Sequence, residues 1–339
     1  MSKKILITGG AGYIGSHVAV KLLEQNTEVV ILDNLVNASE NVIKKIEKIT
    51  NKKVDFISGD IRDEKLLIDI FSDNALDGVM HFAGLKSVSE SIDSPLEYYD
   101  VNVLGGMRLI KVMKENNVKK IVFSSSATIY GRVKKLPIKE TDEKILPENT
   151  YGATKYIFEK ILDDLYRSDE TWRIAKLRYF NPVGAHRSGL LGENPKNTPN
   201  NLMPHVIRTA MGLTPKLKVY GGDYDTKDGT AIRDYIHIED LARGHLHAYH
   251  KIDSAPQNFN VNLGCGKGYT VLEIIKVFEE ENNVEIPYEI VPRRKGDIEA
   301  SYADISLAEK IIGWKPTLNI NDMCRDSWRW QRTNKKEIE

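Results

Sequence analysis

The residues best suited to chemistry in this chain lie in two short stretches, the serine run Ser124, Ser125 and Ser126 and the segment NTYGATK at 149–155. Tyr151 and Lys155 stand four residues apart, and on a helix that spacing puts both side chains on one face. A phenol of ordinary pKa, about 10, is a poor base at neutral pH, but positive charge beside it favours the phenolate. Lys155 is placed to supply that charge, and a serine hydroxyl is placed to share a hydrogen bond with a substrate hydroxyl. The chemistry expected is proton removal from a hydroxyl group undergoing oxidation. The Tyr-x-x-x-Lys spacing alone is common on amphipathic helices, so its meaning depends on the elements that position it.

Those elements begin at the N-terminal end. Ile5, Leu6 and Ile7 form the short apolar run of a buried parallel strand, and Gly9, Gly10, Gly12 and Gly15 follow at once. Tyr13 to Asn26 reads as a helix with Ile14, Val18, Leu22 and Leu23 on one side, and a second apolar run from Val29 to Leu32 stops at Asp33. The glycines satisfy both G-x-x-G-x-x-G and G-x-G-x-x-G, so the backbone can turn tightly and leave helix N–H groups for a pyrophosphate. The Asp33 carboxylate accepts ribose hydroxyls and repels a 2′-phosphate, and Asn34 and Leu35 bring no compensating arginine, which favours NAD over NADP.

The alternation of strand and helix continues and predicts an α/β fold with a Rossmann-type doubly wound parallel sheet. Asp60 and Ile61 fall at a strand's carboxyl end, where adenine contact is expected; the plainer alternative is a helix start capped by Asp63. The strand Gly78 to Phe82 opens into Ala83, Gly84, Leu85 and Lys86, small residues that let a diphosphate approach and a lysine that neutralises it. Pro95 to Asn117 reads as one long helix with more apolar surface than one face needs, which points to a subunit interface. Within it, Asn102 either reaches into the site or is a satisfied buried amide. Lys120 to Phe123 is the strand that delivers Ser124 and its neighbours, and Thr150 is the expected cap of the helix bearing Tyr151.

After the strand Trp172 to Asn181 the composition changes. Pro182 to Asn201 shows no helical or strand period and reads as a long loop, so the expected division is a cofactor domain at 1–181 and a smaller α/β substrate domain at 182–339. Part of 235–263, chiefly Phe259 to Leu263, is expected to rejoin the first sheet. Arg233 and Arg294, both expected in loops bordering strands, carry guanidinium groups suited to bidentate contact with a diphosphate. The tail after Trp330 is expected to fray.

Composition excludes several classes. Lys plus Arg and Asp plus Glu are balanced at 48 each, so no global field draws nucleic acid or an anionic membrane. No apolar run suits a leader or the roughly 20 residues of a membrane span, and a cytoplasmic location is expected. Cys265 and Cys324 have no partners at metal-ligand spacing and read as ordinary thiols. His245, His247 and His250 lack a completing carboxylate or thiol, so no metal is expected.

The segments GGAGYIG, HFAGLK, SSSATIYG, YGATK and RYFNPVGAH, followed by NNLMPH, RDYIH and PRRKGD, resemble the extended short-chain dehydrogenase/reductase superfamily, and within it the UDP-hexose 4-epimerases. The resemblance runs from residue 3 to about 330. It implies an NAD-dependent enzyme that interconverts UDP-glucose and UDP-galactose through a 4-keto intermediate, with Ser126, Tyr151 and Lys155 as the catalytic positions and Lys155 also on the nicotinamide ribose. It implies that Tyr13, Ile14, Asp33, Asn34, Asp60, Ile61, Phe82, Lys86 and Phe180 hold NAD, beside the Gly9, Gly12, Gly15, Ala83, Gly84, Asn102 and Ser124 positions of the cofactor path. For the sugar nucleotide it implies Arg233 and Arg294 on the diphosphate, with Asn181, Asn201 and Leu202 opposite, Asp297 on the uridine ribose, and Lys218 and Tyr220 at uracil. It also implies a homodimer built on the helices at 95–117 and 150–168.

Two departures from the family pattern stand out. Seven residues past Arg294, where some members carry a tyrosine that narrows the sugar pocket, stands Ser301, which leaves room for an N-acetyl group. Val101 replaces an asparagine often found beside Asn102. A related sugar-nucleotide 4,6-dehydratase would need an Asp-Glu pair where Ala127 and Thr128 stand, and a non-catalytic NAD-sensing regulator would not need both Tyr151 and Lys155.

Overall fold

The apolar run after Lys4 becomes strand β1 (Lys4–Thr8), whose Ile5, Leu6 and Ile7 are wholly buried because helices cover both faces of its sheet. The computed structural model describes residues 3–133, 135–142, 147–196, 201–254, 256–294 and 297–334. From β1 the chain alternates through α1 (Tyr13–Glu24), β2 (Glu28–Asp33), α2 (Asn41–Thr50), β3 (Asp55–Ser58), α3 (Glu64–Asp73) and β4 (Gly78–His81). Two short helices, α4 (Val88–Asp93) and α5 (Pro95–Tyr99), lead through a π-helical stretch at Asp100–Gly105 into α6 (Gly106–Glu115). Then come β5 (Lys120–Ser126), α7 (Thr150–Ser168) and β6 (Arg173–Tyr179).

The second half runs β7 (Asn181–Val183), α8 (Leu202–Ala210), β8 (Leu217–Tyr220), β9 (Ile232–His237), α9 (Ile238–Lys251), β10 (Asn258–Leu263) and β11 (Gly268–Thr270). It closes with α10 (Val271–Asn282), β12 (Tyr288–Val291), β13 (Ala300–Ser301), α11 (Ser306–Ile312) and α12 (Ile320–Thr333). Seven strands form one sheet in the order β10-β6-β5-β4-β1-β2-β3, and every neighbouring pair is parallel. Strand order reverses between β1 and β4, and a sheet of this kind opens a ligand crevice at the carboxyl ends of such a pair. One apolar layer, including Val18, Leu22, Ile31 and Leu246, covers one face; another, including Leu6, Leu109, Phe158 and Leu162, covers the other. A third cluster with Val206, Ile274, Phe278 and Met323 supports the small sheet β11-β9-β13, to which β7 also pairs, and the pair β8 and β12.

Several local expectations change. The single helix expected over 95–117 is interrupted by the π-helical stretch, a feature that recurs at functional sites, and Asn102 lies within it. Asn149, not Thr150, caps α7, its Oδ1 accepting the Gly152 N–H at 2.8 Å. Asp63 does cap α3 through the Leu66 N–H at 3.0 Å. Pro182 and Val183, expected at the start of the loop, belong with Asn181 to a second strand, and Arg233 and Asp234 lie inside β9 rather than before it. Both strands arise from pairing with distant segments, which three residues of local pattern cannot display. Gln331 to Asn334 is ordered at the end of α12 instead of frayed, with Gln331 and Asn334 buried: Asn334 donates to the Gly189 carbonyl at 2.7 Å and accepts from Lys45 at 2.9 Å. Lys295, Gly296 and the tail from Lys335 onward lie outside the described residues.

The two cysteines are free, Cys265 half-buried and Cys324 buried. Among the described residues no helix is long and apolar enough to cross a membrane. His17, His81, His237 and His245 are each no more than 1% exposed, and burial pushes the first two down to about 3 and the other two down to about 4. The folded chain therefore carries four neutral imidazoles that the unfolded chain protonates below about pH 6.5. Their stabilising contribution is intact above that pH and is lost progressively as pH falls toward 4. Between pH 7.5 and 5.5 these four sites lose roughly 5 kcal/mol, offset in part by Asp234, whose buried carboxyl is pushed up to about 7 and gains its proton in the native state over the same interval; the net expectation is a fall in Tm of several degrees, read by calorimetry, and replacing Asp234 with Asn should deepen that fall.

Candidate active site

A cavity of about 620 Å³ opens at the carboxyl ends of the parallel strands. Asp33, Asn34, Asp60 and Ile61 line one end; Gly9, Gly12, Tyr13, Ile14 and Gly15 line the middle with Phe82, Ala83, Gly84 and Lys86; Ser124, Tyr151, Lys155 and Tyr179 line the other. Residues 190–196 border it from the second half of the chain. The middle is narrow by construction. Gly9 has φ +70°, and a Cβ there would stand 2.6 Å from the Ala83 nitrogen; a Cβ on Gly15 would stand 2.4 Å from the Gly9 carbonyl oxygen. Gly12, at the N-cap of α1, offers no side chain to the first-turn N–H groups, which leaves them for an anion.

At the first end, Asp33 is held by the backbone it must help shape. Its Oδ2 accepts the Ala11 N–H at 3.0 Å and its Oδ1 the Leu35 N–H at 2.9 Å, while burial pushes its pKa upward. Asn34 donates to Asp60 Oδ2 at 2.9 Å. Hydrogen bonds from Arg62 hold the Asp60 carboxyl down to about 2, so it remains an acceptor throughout the physiological range.

Asn102 turns out to be a clamp. Its Oδ1 accepts the Leu85 N–H at 2.7 Å, and its Nδ2 donates to the Leu85 carbonyl and to Thr154 Oγ1, both at 3.0 Å. The amide is consumed in joining the loop after β4 to α7, and it does not line the cavity; its neighbour Val101 does. Phe180 packs with Ile129, Tyr130, Ile138 and Ala303 and is likewise absent from the cavity wall. Both side chains are engaged behind the wall, Asn102 in hydrogen bonds and Phe180 in packing.

At the chemical end, α7 brings Tyr151 and Lys155 to the end of β5. Lys155 Nζ, in a side chain only 5% exposed as a residue, donates to the Ser124 carbonyl at 2.8 Å, and burial lowers its pKa to about 8. It sits 5.9 Å from the Tyr151 ring centroid. Burial raises the Tyr151 pKa, and hydrogen bonding with Ser126 opposes that rise. The expected depression of Tyr151 by Lys155 is thus not supplied by the pair alone: desolvation exceeds the help from a lysine committed to a carbonyl. Ser126 Oγ accepts from the Thr128 N–H at 3.2 Å and its hydroxyl at 2.9 Å, and Ser125 donates to Glu159 on α7.

Two residues escaped the sequence reading. Tyr179 lines the chemical end, with its hydroxyl on His245 and hydrogen-bonded to Ser124. Glu193 lines the middle, 3.5 Å from Lys86 Nζ, and accepts from Asn201 Nδ2 at 2.9 Å. Only its position in a long polar segment could have drawn attention to it. The other two histidines of α9 have partners from distant segments: His247 meets the Ile312 carbonyl and His250 meets Gln25.

The residues expected at the sugar nucleotide gather elsewhere in the second half. Arg233 pairs with Asp297, and Ser301 on β13 lies in register with Arg233 on β9. The Arg294 guanidinium stacks on Tyr220, 4.0 Å from its ring centroid. Lys218 is exposed on β8, Asn201 caps the start of α8 ahead of Leu202, and Asn181 lies on β7. None of Arg233, Arg294, Asp297, Ser301, Lys218 or Tyr220 lines the main cavity.

The residues present fit a dinucleotide: a glycine cradle that side chains would fill, an uncapped helix start and an acid at the β2 end. Residues 5–264 match the NAD dependent epimerase/dehydratase family. The UDP-glucose 4-epimerase of Dictyostelium discoideum is 51% identical over 98% of this chain and 96% of its own. Among solved structures, the Stenotrophomonas maltophila UDP-glucose-4-epimerase with bound NAD and formylated UDP-arabinopyranose superposes with a TM-score of 0.96 at 46% identity, covering 99% of both chains. That of Bifidobacterium longum, in complex with NAD+ and UDP, gives 0.92 at 50% identity, covering 98% of this chain and 99% of its own. This chain belongs to the NAD dependent epimerase/dehydratase family.

Proposed function

We propose that the protein interconverts UDP-glucose and UDP-galactose by inverting the configuration at C4. The observation that carries this reading is one continuous cavity with a dinucleotide cradle at its middle and Tyr151, Lys155 and Ser124 at its far end, Ser126 lying just behind that wall. NAD, held by the glycine cradle, Asp33 and Lys155, would supply a reversible hydride acceptor, and its positive ring would add charge that favours the Tyr151 phenolate. Tyr151 then takes the proton of the 4-hydroxyl and returns it, Lys155 holds the nicotinamide ribose, and Ser126 shares the hydrogen bond of the reacting oxygen. The 4-keto sugar turns over between the two transfers. Because no net redox change occurs, the cofactor stays in place through turnover.

Arg233 and Arg294 exchange their present partners for the diphosphate, with Asn181, Asn201 and Leu202 opposite, Asp297 at the uridine ribose and Lys218 and Tyr220 at uracil. Dehydration is disfavoured by Ala127 and Thr128, which carry no carboxyl group, the Thr128 hydroxyl being bonded to Ser126. The division into 1–181 and 182–339, with β10 returned to the first sheet, separates cofactor from sugar nucleotide. The exposed Leu96, Leu104 and Met107 support a homodimer through the helices at 95–117 and 150–168. Two free cysteines accord with a reducing, cytoplasmic compartment.

Purified protein carrying its own NAD is expected to convert UDP-galactose to UDP-glucose without added cofactor, and Tyr151→Phe to lower kcat by about 10² to 10⁴ while keeping the NAD. An NAD-loaded protein that yields no UDP-glucose, or a 4-keto-6-deoxy product, overturns the reading. The small Ser301 side chain leaves space for an acetamido group, so UDP-N-acetylglucosamine is expected to be a substrate as well. Ser301→Tyr should reduce its turnover at least about 10-fold while sparing UDP-glucose. Wild-type protein active on UDP-glucose and inert toward UDP-N-acetylglucosamine would refute that extension.

A further inference from the structure

Glu159 follows Lys155 by one turn of α7 and faces β5. Its Oε1 accepts from the Ser125 hydroxyl and from Arg178 Nε at 3.0 Å, and its Oε2 accepts from Arg178 Nη2 at 2.7 Å. Arg178, on β6, lies in register with Ser125 on one side and Asn262 of β10 on the other. Its Nη1 donates to the Tyr130 hydroxyl at 2.9 Å and to the Glu140 carbonyl at 3.3 Å; Tyr130 in turn donates to Asn262 Oδ1 at 2.6 Å. Asn262 Nδ2 continues to the carbonyls of Ile138 at 2.9 Å and Asp304 at 3.3 Å, the latter three residues beyond Ser301. Both charged side chains are 4% exposed.

A buried ion pair of this kind returns little stability over well-packed apolar side chains, since desolvation consumes most of its attraction. Its distinctive property is direction. Ser125 stands between Ser124, whose carbonyl holds Lys155, and Ser126, which hydrogen-bonds Tyr151. The bidentate fork therefore sets the height and rotation of α7 over all three serines, and a misplacement of about 1 Å in such a site can cost on the order of 10² in rate. We propose that Glu159 and Arg178, acting through Ser125, are positioning residues that hold Tyr151 and Lys155 in register with the β5 serines. This inference rests on the epimerase reading above.

The test replaces both charges together, Glu159→Leu with Arg178→Met, so that no unpaired charge is buried; Ser125→Ala and Ser125→Thr accompany it. UDP-galactose turnover is measured per bound NAD, with Tm and circular dichroism for folding. The double variant should retain its fold and NAD, lose about 10- to 100-fold in kcat with KM within about 3-fold, and show the acid limb of its kcat–pH profile moved alkaline by about one unit as Tyr151 loses support. Ser125→Ala should lose about 3- to 10-fold, and Ser125→Thr, which keeps the hydroxyl, should recover most of it. If the double variant does not fold, the Ser125 pair decides. A kcat per bound NAD within twofold of wild type, an unmoved pH limb, or equal rates for Ser125→Ala and Ser125→Thr would overturn the positioning role. Inactivity of the wild type itself would instead overturn the epimerase reading.

Discussion

The close approach of Gly9 to Ala83 is the constraint on which the site depends. With φ +70° and no room for a side chain, Gly9 lets the end of β1 pass against the residue that follows β4, at the point where strand order reverses. Once the backbone turns there, Gly12 begins α1 with its first-turn N–H groups facing the crevice. The same turn delivers the Ala11 N–H to Asp33, so the acid at the end of β2 helps hold the loop. Bulk at Gly9 or Gly15 would push apart backbone that no side-chain rotation can relieve.

The chemical end shows how burial and charge oppose each other. Lys155 and Tyr151 are both desolvated, which weakens the lysine's hold on its proton and strengthens the tyrosine's. A buried lysine on a carbonyl and a phenol on Ser126 form a resting arrangement, not an already ionised base. A positive charge at the adjoining wall would oppose that burial and favour the phenolate. Protein groups behind the wall, Asn102 among them, are satisfied by one another and hold the wall still.

The two halves of the chain are joined by the β6–β10 pairing and by many side-chain hydrogen bonds, two of them at the cavity. The Tyr13 hydroxyl donates to the Gly184 carbonyl at 2.7 Å, and Glu193 reaches both Lys86 and Asn201. Asp234, buried in β9, accepts the N–H groups of Cys265 at 2.7 Å, Gly266 at 3.1 Å and Ala303 at 3.0 Å. That knot fastens the turn after β10 to the segment after Ser301, so β13 is tied to the end of a strand of the seven-stranded sheet.

What the sequence determined by itself was whatever short-range physics encodes. The glycine spacing before a helix, the apolar runs of β1 and β2, the acid at Asp33 and the four-residue interval between Tyr151 and Lys155 were all readable, because each expresses local backbone freedom, burial or helix geometry. Tertiary structure decided the rest. It made Asn102 a clamp, moved Phe180 behind the wall, placed Arg233 within a strand, and brought Glu193 and Tyr179 to the cavity. It also set the ionisation of Tyr151 by burial where residue type alone pointed to Lys155. Such outcomes depend on partners tens of residues away along the chain, as with Arg233 and the strands β7, β11 and β13, and desolvation belongs to the assembled environment and not to any single segment.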